Sequence, residues 1–216
     1  MRQTSIRARA PEETYGPALT LAKQQLAQAD PARIAHLASV PYTHAEATRG
    51  YLTFAFLGTG YEVHWPMGTV QRAVDGSLPD VTTQLLLLHY LLTADGTPMA
   101  DQWVAFRALR GGMGYEAAFR QRADLRLAKR FGSSREAFEL AAQALGGERL
   151  TFGDASFGFR VMPSLWLAVV LHLEDDEFPA EASVLFDGAA NHYLATEDLA
   201  VLGGLLTSRL IRSAST

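Results

Sequence analysis

The chain has 216 residues, of which 48% are hydrophobic and 19% are charged, and its formal net charge is −4. That length allows one compact domain with a sizeable hydrophobic core. The slight excess of acid gives no electrostatic reason to expect nucleic acid or an anionic membrane surface as a partner, so we expect a small molecule or a protein.

Cysteine is absent, which excludes disulfides and iron–sulfur clusters ligated by cysteines of this chain. The N-terminal residues lack the apolar segment of a secretory signal, and the longest apolar runs are well short of the ~20 residues that a membrane helix needs. We therefore expect a cytoplasmic protein that does not enter a membrane. Residues 1–10 are expected to form a disordered basic tail, and residues 11–216 a single domain.

Two helices are predicted at the start of this domain. Pro11 is followed by two glutamates, which favour the first turn of a helix, and apolar residues then recur at helical spacing to about Asp30. Pro31 predicts the start of a second, short helix, which ends before Pro41.

A β-hairpin and a buried helix are predicted next. Residues 51–65 are rich in aromatic and β-branched residues on both sides of a Gly-Thr-Gly segment, which is typical of a hairpin. Residues 68–74 could add a third strand. Residues 79–96 are apolar nearly all round between a Pro-Asp pair and a glycine, which predicts a central buried helix.

The second half of the chain is predicted to mix strands and helices. The predicted strands lie at about 102–109, 152–163 and 165–173, and the predicted helices at about 114–130, 134–145 and 196–211. Because hairpins rather than repeated βαβ units connect the strands, we expect an α+β fold. Its mainly antiparallel sheet would contain the hairpin at 51–74 and strands near 103–109 and 150–173, packed with several helices.

The acidic stretch 173–198 contains eight carboxylates and no Lys or Arg. The two acids after Thr196, a predicted N-cap, suit the first turn of the last helix. Glu181 follows a proline and is interpreted in the same way, with an apolar helical face over 182–186, although these residues also suit a strand. Local structure therefore leaves the charges of residues 172–177 unexplained.

His172 ends a predicted strand and is followed closely by Asp175, Asp176 and Glu177. An imidazole with several carboxylates can hold a hard or borderline divalent metal, and crowding can raise the pKa of one carboxyl as a general acid or base requires. A strand end is also polar in most proteins. A divalent metal at Asp175, Asp176 and Glu177 and a solvated strand end are thus the two hypotheses.

Basic residues dominate the middle of the chain, where eight between Arg107 and Arg135 stand against only Glu116 and Asp124. They form either a solvated or acid-facing surface, or a surface for an anionic ligand or partner, since the guanidinium fork binds carboxylate and phosphate groups bidentately. The glycine-rich segment 111–115 suits either an anion held on backbone amides or a flexible turn.

Four residues are therefore candidates for ligand binding: Arg107, Tyr115, His172 and His192. Packing beneath a loop is the simpler role for His192. His89, inside the most apolar helix, could be an axial ligand to a tetrapyrrole or corrinoid, although a core histidine with one hydrogen bond is commoner.

The succession of several segments resembles the bacterial and archaeal family of domain of unknown function 3786, over roughly residues 50–206. The segments are LLLLHYLLTADGTPMADQWVAFRAL, GGMGYEAAF, GDASFGFRVMPSLWL, DDEFPAEASVLFD and HYLATEDL. The family has no established activity. Some members carry a cysteine-rich iron–sulfur module ahead of this domain, so the resemblance implies at most an accessory role beside redox or corrinoid chemistry for this cysteine-free chain.

Three functions remain open from the sequence. The standard phosphate-loop, dinucleotide, zinc-protease, esterase and EF-hand motifs are absent. We expect an accessory domain that binds a small ligand, metal or cofactor without turnover. The alternatives are a metal-dependent hydrolase or lyase with a carboxylate-rich site at 172–177, and a protein-interaction module.

Overall fold

A computed structural model describes residues 11–46 and 48–214, so the predicted tail at 1–10 lies outside the described residues. The helices are α1 (Pro11–Gln28), α2 (Pro31–Leu37), α3 (Val81–Thr93), α4 (Glu116–Arg122), α5 (Asp124–Phe131), α6 (Arg135–Ala144) and α7 (Thr196–Ser213). The strands are β1 (Tyr42–Glu46), β2 (Arg49–Phe56), β3 (Thr59–Trp65), β4 (Thr69–Arg72), β5 (Trp103–Ala105), β6 (Glu148–Leu150), β7 (Ala155–Met162), β8 (Leu165–His172) and β9 (Glu181–Asp187).

The strands form two antiparallel sheets, of order β1-β2-β3-β4 and β5-β9-β8-β7-β6. The predicted α+β class with antiparallel strands is confirmed. A single hydrophobic cluster contains residues from both sheets and from all seven helices above. Within residues 11–46 and 48–214, no helix has both the length and the hydropathy that crossing a membrane requires.

The predicted hairpin forms the centre of the first sheet. Phe56 pairs with Thr59, so the turn residues are Leu57 and Gly58, at φ 48° and 78°. Two consecutive positive φ angles match the right-handed twist of the strands, although a leucine adopts the first of them only at a cost. The Leu57 N–H donates to the carbonyl of Val161 at 2.9 Å, which joins the hairpin tip to the second sheet.

The predicted central helix α3 is confirmed. Asp80 caps it by accepting from the backbone N–H of Thr83 at 3.0 Å. The buried hydroxyl of Tyr90 donates to Ala38 O at 2.8 Å and accepts from the N–H of Ser164 at 3.1 Å. Its ring lies 5.7 Å from that of Tyr193, so α3 ties together the N-terminal helices, the second sheet and the C-terminal region.

Residues 181–187 are a strand, so the helical interpretation of Glu181 is wrong. Ala182, Val184 and Phe186 are buried while Glu181 and Ser183 are exposed, which is the alternation of a strand with one covered face. The spacing of four between 182 and 186 puts both residues on one face in a helix and in a strand alike, which is why the pattern was ambiguous.

The predicted strand near 103–109 is shorter than expected. Strand β5 ends at Ala105, and a 3₁₀ turn over Phe106–Ala108 leads the chain away from the sheet. A Cβ at Gly112 would lie 2.0 Å from the carbonyl oxygen of Phe106, so this return of the chain requires glycine. The helix predicted at 114–130 breaks at Ala123 into α4 and α5.

Thr196 is the first residue of α7 and not its N-cap, which is Ala195. The Thr196 hydroxyl donates instead to Arg110 O at 2.6 Å and accepts from the side-chain amide of Asn191 at 3.1 Å. The hydroxyl thus binds the loop after β5 and does not cap α7. Local sequence does not reveal this long-range hydrogen bond.

Candidate functional site

The early end of β5 leaves part of β9 without a neighbouring strand. Strand β5 pairs only with residues 185–187, so the edge of β9 at 181–184 needs another partner for its backbone. Helix α5 packs against β9 there. The carboxylate of Asp124, the first residue of α5, accepts the backbone N–H of Val184 at 3.0 Å.

A cleft of about 410 Å³ opens between this edge, the 3₁₀ turn after β5, and helices α4 and α5. Two aromatic residues, Phe106 and Phe119, form its floor, and their rings stack at 4.2 Å. Both rings also pack within 6 Å of the buried ring of Phe186, which does not line the cleft. The charged side chains that line it are Arg107, Glu116, Arg120, Asp124 and Glu181. The cleft therefore combines an apolar base with a few charged groups, as small-molecule sites commonly do.

Asp124 is half-buried within this lining. Burial raises its pKa to about 6, although the hydrogen bond from Val184 and the charge of Arg120 favour the ionised form. The bond from Val184 is the one hydrogen bond that this carboxylate makes to a described residue. Asp124 can therefore change its protonation state near neutral pH while facing a cleft.

Two arginines line the cleft together with the three carboxylates of Glu116, Asp124 and Glu181. The side chains of Arg107 and Arg120 are exposed, and neither forms an ion pair with a carboxylate in the described part of the chain. The guanidinium of Arg107 thus does not pair with the acidic stretch, which was one structural role expected for it. Both groups are free to bind an anion bidentately.

A family model described as a domain of unknown function (DUF3786) matches residues 30–209, which include every residue of the cleft. The chain belongs to this DUF3786 family. No curated protein and no solved structure matches the chain. Family membership confirms the resemblance seen in the sequence, and the family's description assigns no activity.

The four predicted ligand-binding residues of this DUF3786 chain do not line one cavity. Only Arg107 lines the cleft. Tyr115 immediately precedes α4 and is 54% exposed, and His172 is exposed at the end of β8. His192 lies 2.7 Å, from Nδ1 to Oδ2, from Asp95 and is half-exposed.

The predicted metal ligands lie on an exposed loop after β8. Asp175 accepts the N–H groups of Glu177 and Phe178 at 2.8 and 2.7 Å, and these bonds hold the pKa of its carboxyl below the usual range. Asp176 and Glu177 are exposed. Across residues 11–46 and 48–214, no group of three or more His, Cys, Asp or Glu side chains is arranged to hold a metal ion. The metal site at Asp175, Asp176 and Glu177 therefore stays a prediction, and no grouping of ligands among the described residues supports it.

His89, the candidate axial ligand, pairs with a carboxylate of α7. Its Nδ1 lies 2.7 Å from Oδ2 of Asp198, and both side chains are largely covered. His89 thus resembles a core histidine with one hydrogen bond, which is commoner than an axial ligand. It also gives Asp198 a role beyond the first turn of α7.

Asp124 and Arg120 are the site residues that sequence analysis did not single out. The available signal was that Asp124 is one of only two carboxylates among eight basic residues, since an acidic residue is seldom buried without a partner. Asp124 lies in the cleft because the helix breaks at Ala123 and because β9 packs beside α5. Local sequence predicts neither feature.

Proposed function

We propose that the cleft between α4, α5 and β9 binds a small organic anion and that the protein acts as a ligand-binding accessory domain. The observation that carries the proposal is the pair Arg107 and Arg120, which lack ion-pair partners beside an aromatic floor. Arginines at an apolar cleft suit a ligand with a carboxylate, sulfonate or phosphate group attached to a flat or aliphatic body.

Asp124 couples this binding to the uptake of a proton. With a pKa of about 6, its carboxyl is largely ionised at neutral pH and would repel an anion in the cleft. When protonated it can donate its O–H to an oxygen of the ligand while its other oxygen keeps the bond to Val184. Anion affinity therefore rises as the pH falls through about 6.

A ligand screen with charge-matched variants tests the proposal. Benzenesulfonate and phenyl phosphate are titrated calorimetrically into the wild type and into Arg107→Gln and Arg120→Gln, at matched ionic strength. Each lost charge-assisted hydrogen bond corresponds to about tenfold in affinity. Arg122→Gln is the control, because Arg122 lies on the same helix and is exposed but does not line the cleft.

The proposal fails if no organic anion binds, or if Arg122→Gln weakens binding as much as Arg120→Gln does. A second measurement isolates Asp124. Benzenesulfonate stays ionised between about pH 5 and pH 8, so a tightening of its binding at low pH should vanish in Asp124→Asn. Persistence of that pH dependence in Asp124→Asn would remove the coupling while leaving the cleft as a binding site.

A further inference from the structure

The cleft between α4, α5 and β9 carries charges of both signs, which limits the kind of anion that it can hold. Its two arginines share the lining with the carboxylates of Glu116, Asp124 and Glu181. None of these carboxylates forms an ion pair with a described residue. A ligand with only negative charge would meet these acids as well as the arginines, whereas a ligand with both charges complements the two sets.

The acids of the cleft differ in their surroundings. Burial raises the pKa of Asp124, and of the charges near it, that of Arg120 lowers this pKa while that of Glu116 raises it. Arg120 and Glu116 therefore act on the same part of the cleft and partly offset each other there. Glu181 is exposed at the start of β9, and its cross-strand neighbour His172 forms no ion pair with it. Glu181 is thus the carboxylate best placed to meet a cationic group of a ligand.

Glu181 and Arg107 belong to opposite ends of the cleft lining. Leu185 pairs with Ala105, two residues before Arg107, and Glu181 precedes Leu185 by four residues of the same strand. Four residues of an antiparallel strand span about 13 Å. An acid at one end and a base at the other therefore line one cavity, and a ligand between them can place a charge at each end.

The uncovered edge of β9 adds backbone groups to the cleft. The N–H groups of Val184 and Gly188 point away from β8, since they donate to Asp124 and to the carbonyl of Gln102. Backbone groups of a strand point to the same edge at every second residue, so the N–H and C=O of Ala182 also point away from β8. Strand β5 does not extend that far, so the Ala182 carbonyl lacks a strand partner and can accept a hydrogen bond from a ligand.

We infer that the organic anion of this cleft is a zwitterion, namely an amino acid with an aromatic side chain. Its carboxylate binds the two cleft arginines, its ammonium group donates to the carboxylate of Glu181 and the carbonyl of Ala182, and its ring packs on the stacked phenylalanine floor. The cavity of about 410 Å³ is large enough for such a molecule. The inference rests on the function proposed above, because it names the class of ligand for the same site.

Three compounds that share one ring test the need for both charges. Phenylalanine carries a carboxylate and an ammonium group at about pH 7, 3-phenylpropionate only the carboxylate, and 2-phenylethylamine only the ammonium group. We expect calorimetry at equal ionic strength to show phenylalanine binding at least tenfold more tightly than either analogue, because each analogue lacks one set of charge-assisted hydrogen bonds.

Two results would overturn the inference. If 3-phenylpropionate binds as tightly as phenylalanine, the ammonium group contributes nothing, and the cleft remains a site for plain organic anions. If none of the three compounds binds, the amino acid is not the ligand, and the benzenesulfonate titration described above then decides separately whether the cleft binds anions at all.

Variants assign each charge of the ligand to its partner. Glu181→Gln should lower the affinity for phenylalanine by about fivefold to tenfold without weakening the binding of 3-phenylpropionate, since only the first ligand has an ammonium group. Arg120→Gln should weaken the binding of both ligands, because both have a carboxylate. A general loss of structure would also weaken both, so the difference between the two ligands isolates the contribution of Glu181.

Glu136→Gln is the matched control, because Glu136 is an exposed glutamate on α6 that does not line the cleft. It should bind both ligands like the wild type. Unchanged phenylalanine affinity in Glu181→Gln, an equal loss of both ligands in that variant, or a similar loss in Glu136→Gln would refute the assignment.

Discussion

The carboxylate of Asp124 accepts the backbone N–H of Val184 at 3.0 Å at the point where β5 no longer covers β9. A side chain thus replaces a missing strand partner, and the same side chain lines the cleft between α4, α5 and β9. Asp124 therefore both pairs a backbone N–H at the sheet edge and lines the cleft.

Removal of this acceptor should destabilise the fold. In Asp124→Ala the half-buried N–H of Val184 loses its partner, which costs about 1 to 3 kcal/mol. Asp124→Asn keeps an amide oxygen at that position and should lose less. Urea denaturation monitored by tryptophan fluorescence compares the two variants, and equal losses would mean that the hydrogen bond contributes little to stability.

The stability of the wild type should fall as the pH rises from about 4 to about 6, relative to Asp124→Asn. The folded pKa of Asp124, about 6, lies above its ordinary value of 3.8, so the folded state holds the proton more tightly and loses that advantage as the carboxyl ionises. The full effect is about 2 kcal/mol after allowance for partial exposure. Urea titrations of both proteins at several pH values measure the difference, and parallel profiles would contradict the assigned pKa.

The glycine turn before α4 offers a matched pair of substitutions. A Cβ at Gly112 would lie 2.0 Å from the carbonyl oxygen of Phe106, whereas a Cβ at Gly114 would have no neighbour within 4 Å. Gly112→Ala should therefore shift Phe106 on the cleft floor and cost about 1 to 3 kcal/mol, while Gly114→Ala should be nearly neutral. Thermal unfolding and ligand titration test both effects, and a neutral Gly112→Ala would show that the turn can relax.

Tyr90 should contribute to stability through its hydroxyl as well as its ring. Tyr90→Phe removes the donor to Ala38 and the acceptor for Ser164, and leaves buried backbone groups unpaired, at a cost of about 1 to 3 kcal/mol. Tyr115→Phe is the control, because that tyrosine is exposed. Chemical denaturation should separate the two variants, and similar stabilities would indicate that water replaces both bonds of Tyr90.

The sequence alone determined the local elements whose signals lie within a few residues. Helix α3 follows from an apolar run with Asp80 at its head, and the β2–β3 hairpin from alternating aromatic residues around a glycine turn. The absence of cysteine likewise excluded disulfides and iron–sulfur clusters ligated by cysteines of this chain. These features depend on backbone sterics, capping and periodicity, which act over short distances.

Only the tertiary structure determined which residues from distant parts of the chain contact one another. Residues 181–187 form a strand because β8 supplies a partner. The carboxylate of Asp124 accepts a hydrogen bond from the backbone of Val184, sixty residues away. Arg209 likewise meets the carbonyl of Leu57 across 152 residues. Burial, desolvation and the pairing of a strand edge depend on which surfaces come together, and no local pattern specifies that.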